Sequence, residues 1–115
     1  MKVLKITMLS MLAVGLLFSG ALAAEVATGK ALFNNPELGG GRSGKSCNSC
    51  HPGGRGVEKA GEKKSFNIMG QKQNGLEAAV NFCIEMALKG KPIDAKSTDM
   101  ADIMAYIRSL KGTTP

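Results

Sequence analysis

Apolar side chains recur at helical spacing toward the C-terminus. Leu76, Ala79, Val80, Cys83, Ala87 and Leu88 share one face, and Gly90 and Pro92 follow as stop signals, which predicts a helix from Leu76 to Lys89. A second set, Met100, Ile103, Met104, Ile107 and Leu110, predicts another helix. That helix opens at Ser97, which can cap its first turn, carries Asp99 near the positive end of the helix dipole, and stops at Gly112. Upstream, Val26, Gly29, Ala31, Leu32 and Phe33 give the stretch from Glu25 to Asn34 a partly apolar face, which Pro36 ends. Gly-rich segments lie between these helices, from Leu38 to Ser46 and from Gly53 to Met69. The second is too long for a plain connector in a small domain, and segments of that length usually wrap something. No strand pattern appears, so the expectation is an all-α fold of three to four short helices.

The N-terminus follows a different pattern. Lys2 and Lys5 precede an apolar stretch from Ile6 to Phe18, broken by Thr7, Ser10 and Gly15, and small residues close it at Gly20-Ala21-Leu22-Ala23-Ala24. This is the order of a secretory signal peptide, and the apolar run is short for a membrane span. Residues 1–24 are therefore expected to be cleaved, leaving a periplasmic domain over residues 25–115 without a stable membrane anchor. Removing 24 of 115 residues leaves 91, enough for one small domain. Its only aromatics are Phe33, Phe66, Phe82 and Tyr106, and there is no Trp. A core this poor in large side chains needs a disulfide, metal or cofactor as reinforcement.

Charge narrows the partners only slightly. Fifteen basic residues against nine acidic ones give +6, and loss of Lys2 and Lys5 leaves +4. The excess is not interleaved with aromatics as a nucleic-acid surface would be, so no nucleic-acid partner is expected.

Cysteine changes the picture more. Cys47, Cys50 and Cys83 make an odd number, which a simple disulfide framework in an exported protein would not use. Cys47-Asn48-Ser49-Cys50-His51 is C-x-x-C-H, the attachment sequence of haem c. Two thiols on one helical turn can form thioethers with the porphyrin vinyl groups, and His51 then falls under the iron as proximal ligand. Its second ring nitrogen is expected to donate to a backbone carbonyl. A thioredoxin-type motif would need a βαβ unit, and a zinc site of Cys47, Cys50, His51 and Cys83 would place His unusually close to the second Cys. Gly39-Gly40-Gly41-Arg42-Ser43-Gly44-Lys45-Ser46 also fits the phosphate-binding pattern G-x-x-x-x-G-K-[ST], but no strand leads into it.

These residues carry a family resemblance over nearly all of the expected mature chain. Gly29-Lys30-Ala31-Leu32-Phe33, the C-x-x-C-H motif and the helix from Ser97 to Ile107 resemble the class I c-type cytochromes. The resemblance implies a cytochrome c fold around one covalent haem c, with Gly29 and Phe33 crossing Tyr106. In that family the axial Met usually stands on the loop before the last helix. Here the loop reads Lys89-Gly90-Lys91-Pro92-Ile93-Asp94 and contains no Met. Met69, on a loop ahead of the middle helix, is similar in position to the distal ligand of some thiosulfate-dehydrogenase-like cytochrome domains. It is the expected distal ligand, with Met100 as second choice. Met86 and Met104 are expected to pack, and Cys83 to be a buried inert thiol.

The expected function is electron transfer, not catalysis. An alternative is a cytochrome with an open or labile sixth position that binds a small ligand or oxidises a sulfur compound. Arg55, Lys59, Lys63, Lys64 and Lys72 follow the haem motif and could steer redox partners with acidic docking surfaces. The intact mass of the exported protein should equal residues 25–115, within one residue, plus one haem that survives acid-acetone extraction. A bare polypeptide mass would end the cytochrome reading, and Cys47→Ala with Cys50→Ala should abolish both attachment and folding.

Overall fold

The computed structural model describes Ala23 and residues 25–111. The rest of the expected leader and the stop at Gly112 lie outside the described residues. Residues 25–33 form α1. A 3-10 turn at Leu38–Gly40 and a loop lead to α2, one turn at Cys47–Cys50. Further 3-10 turns at Pro52–Gly54 and Ala60–Glu62 precede an antiparallel hairpin of β1, Ser65–Ile68, and β2, Gln71–Asn74. Next comes α3, Leu76–Cys83, which runs on into a π-helical turn at Ile84–Leu88, and α4, Thr98–Ser109, follows. No helix among the described residues is long and apolar enough to cross a membrane.

The helices stand close to where the apolar periods put them, and their packing explains why. A Cβ at Gly29 would collide with the Asp102 carbonyl and come within 2.9 Å of Tyr106 Cβ, so the α1 backbone lies directly on α4. One turn later Phe33 meets Tyr106 edge-on, with ring centroids 5.1 Å apart and planes at 63°. Met100, Ile103, Met104 and Ile107 bury the inner face of α4. Ser97 caps that helix as expected, its Oγ accepting from the Met100 N–H at 3.2 Å.

The hairpin corrects the purely α expectation. Its two strands pair in register from Ser65 with Asn74 to Ile68 with Gln71. The connecting residues Met69 and Gly70 both have positive φ, 53° and 78°, as a two-residue primed turn requires. Strand β2, Gln71-Lys72-Gln73-Asn74, is polar throughout, so no period of two could announce it. Strand β1 does alternate, with Phe66 and Ile68 turned inward, but over only four residues.

The α1–α4 crossing leaves no space for a side chain at Gly29. Gly29→Ala should therefore lower stability by about 1–3 kcal/mol or more, read as a depressed midpoint in thermal unfolding. An unchanged midpoint would show that the helices do not approach at this point.

Candidate cofactor site

Helices α1 to α4 and strand β1 contribute walls to an apolar cavity of about 920 Å³. Leu76, Ala79, Val80, Cys83 and Ala87 all line it, so the stripe read from the sequence as core is one wall of this space. Phe66 and Ile68 of β1, Ile103 and Ile107 of α4 and Phe33 of α1 line it as well. The long segment between Gly53 and Met69 contributes Gly56 to Ala60 and Lys63 to the lining.

At this cavity, α2 brings Cys47, Cys50 and His51 together. The turn is held by His51 N–H donating to the Cys47 carbonyl at 2.9 Å and by Ser46 N–H donating to Ser49 Oγ at 2.9 Å. Asn48 Oδ1 accepts from Gly53 N–H at 2.8 Å, which ties the helical turn to the segment after the histidine. His51 Nδ1 lies 3.1 Å from the Arg55 carbonyl oxygen. A carbonyl can only accept, so Nδ1 donates in this contact, and Nε2 is the ring nitrogen left available to a metal.

The three thiols share one electrostatic neighbourhood. Burial, with contributions from Cys83 and Cys50, pushes the Cys47 thiol up to about 11. Burial also raises Cys83, and Cys50 adds to the effect. All three are free. Two thiols and an oriented imidazole on one turn, facing an apolar space large enough for a cofactor, fit haem c. A zinc site does not fit, because among the described residues no three His, Cys, Asp or Glu side chains gather into a metal-holding group.

The methionines sit differently from the thiols. Met69 occupies the hairpin turn, is 75% exposed, and contributes to a smaller adjoining cavity of about 410 Å³, not to the main one. Met100 is fully buried in the core and Met104 nearly so, as packing residues are, and neither reaches the cavity lining. Met86 is 41% exposed, against the expectation that it packs. Cys83 is less enclosed than the buried thiol expected there. It is half-buried and lines both cavities, as Cys50 does. The odd cysteine count and its place on the cavity stripe were the available signals.

The Gly-rich decoy has a structural role. Gly40 and Gly41 N–H donate to Glu37 and Leu38 carbonyls, and Arg42 and Ser43 N–H both donate to the Leu88 carbonyl at 2.8 and 3.1 Å. Ser43 Oγ donates to the Ala87 carbonyl at 2.7 Å. Amides that would cradle a phosphate are instead capping the end of the π-helical turn.

Arg55, Lys59, Lys63, Lys64 and Lys72 are all exposed, and Lys59 and Lys63 reach the cavity lining. Lys63 Nζ stands 5.3 Å from the Phe66 ring centroid.

Residues 28–113 match the family model described as SoxA/TsdA, cytochrome c domain. No curated protein and no solved structure matches the chain.

Proposed function

Because the chain belongs to the SoxA/TsdA cytochrome c domain family, we propose that it is a periplasmic electron carrier holding one covalent haem c. The observation that carries this reading is the hydrogen bond from His51 Nδ1 to the Arg55 carbonyl, which leaves Nε2 free on the turn that bears both attachment thiols. Haem c, when bound, supplies reversible one-electron exchange between ferric and ferrous iron. Cys47 and Cys50 would hold it as thioethers and His51 would be its proximal ligand. The apolar walls from α3, α4 and β1 exclude water, and the exposed residue Cys50 marks the side nearest to solvent.

For the distal position we assign Cys83 in place of Met69. Cys83 is the last residue of α3 and stands on the main cavity lining, whereas Met69 projects from a turn. Burial keeps the Cys83 thiol protonated in the absence of iron, and coordination would remove that proton. A thiolate pushes electron density onto iron, so the potential should lie below that of a Met-ligated cytochrome.

A second reading, action on a sulfur oxyanion, is favoured by one observation. Lys59 and Lys63 place two cationic side chains on the lining that also carries Cys83, an arrangement able to attract an anion.

Two experiments test these assignments. Met69→Asn should leave the visible spectrum unchanged and add up to about 1 kcal/mol of stability, because Asn tolerates the left-handed backbone that Met69 adopts. Cys83→Ala should open the iron to carbon monoxide, and the reverse pattern would return the ligand to Met69. Ready binding of carbon monoxide by the unaltered protein, with turnover of thiosulfate, would put the enzymatic reading first. Separately, charge reversal at Lys63 and Lys64 should slow reduction by an acidic partner at low salt and lose its effect as salt rises, with thermal stability unchanged. Equal slowing at high salt would remove the steering role.

A further inference from the structure

We propose that Glu58 is a positioning residue for His51, acting through the single peptide group that joins Arg55 to Gly56. This rests on the reading of His51 as the proximal ligand. The carbonyl of that peptide accepts from His51 Nδ1–H at 3.1 Å, and its N–H donates to Glu58 Oε2 at 2.9 Å. Both groups belong to one rigid planar amide, so the carboxylate at one end sets the orientation of the acceptor at the other. The amide is also confined by its neighbour: Gly56 has φ +95°, and a Cβ there would lie 3.2 Å from His51 Nδ1. Only glycine accommodates that backbone and that proximity together.

The electronic consequence has a definite sign. An anionic acceptor on the N–H polarises the amide and makes its carbonyl a stronger acceptor. The stronger pull on Nδ1–H increases the donor strength of Nε2, which favours ferric over ferrous iron and lowers the potential. Glu58 is ionised at neutral pH, since its own N–H and that of Gly56 hold its carboxyl below the usual range.

Loss of a negative charge near iron would raise the potential by itself, so a control is needed. Glu62 lines the same cavity, and its carboxylate pairs with Lys111 at 2.8 Å. Haem-loaded Glu58→Ala, Glu58→Gln and Glu62→Gln should be compared with the unaltered protein. Glu58→Ala is expected to raise the midpoint potential, to speed exchange of the Gly56 amide proton several-fold, and to shift the hyperfine-shifted His51 ring resonances of the ferric form. Glu58→Gln keeps a neutral acceptor, so all three effects should be present and smaller; it serves if the alanine variant folds poorly. Glu62→Gln should leave the Gly56 amide and the His51 resonances in place whatever it does to the potential. Unmoved His51 resonances in both Glu58 variants, or a potential shift no larger than that of Glu62→Gln, would reduce Glu58 to a plain charge and overturn the proposal. A haem-free mass for the unaltered protein would overturn this proposal and the His51 assignment together.

Discussion

An apolar space of about 920 Å³ inside so small a domain is the constraint on which the rest of the structure depends. Its walls are side chains that, in an ordinary helical bundle, would meet each other across the core. Here Leu76, Ala79, Val80 and Cys83 of α3 and Phe66 and Ile68 of β1 line the cavity instead. A filled cavity lets two short strands and a one-turn helix hold position, because each then buries apolar surface against the same rigid body, at about 25 cal/mol per Å² removed from water. The well-packed α1–α4 crossing, with Gly29 under Asp102 and Phe33 against Tyr106, is the part that closes without help.

That division explains what could be read from the sequence. The helices were legible because their apolar residues repeat at 3.6, and the caps and stops at Ser97, Gly90 and Pro92 are local chemistry. The hairpin was not, because Gln71-Lys72-Gln73-Asn74 has no apolar face and Met69 at positive φ is not a residue that signals a primed turn. With the strands paired, the loop that carries Met69 shrinks to two residues and leaves this side chain largely exposed.

The site divides in the same way. Cys47, Cys50 and His51 form a local pattern whose spacing is its meaning, and the structure brings all three to the cavity. The stripe that includes Cys83 was ambiguous in a different way: helical spacing identifies an apolar face and says nothing of whether it meets other side chains or lines a cavity. The Arg55–Gly56 peptide and Glu58 could not be read at all, since their relation to His51 depends on the path of the backbone through successive turns.

The mounting of a distal donor bears on whether the iron position would be firm or labile. A donor on the Met69 turn could swing away with the hairpin tip, leaving a position open to substrate. A donor at Cys83 stands where α3 passes into the π-helical turn, and such register shifts in helices often mark functional positions. The end of that turn is pinned: Arg42 and Ser43 both donate to the Leu88 carbonyl, Gly90 N–H donates to Ile84, and Lys91 N–H donates to Gly39. Asn81 adds a paired clamp, its Oδ1 accepting from Ile93 N–H and its Nδ2 donating to the Ile93 carbonyl, both at 2.9 Å. With its helix tied down on both sides, a donor at this position would not move without disturbing the Gly-rich loop and the segment before α4. A fixed donor would suit a carrier that exchanges electrons with little reorganisation, and a labile one would suit a centre that must open on every turnover.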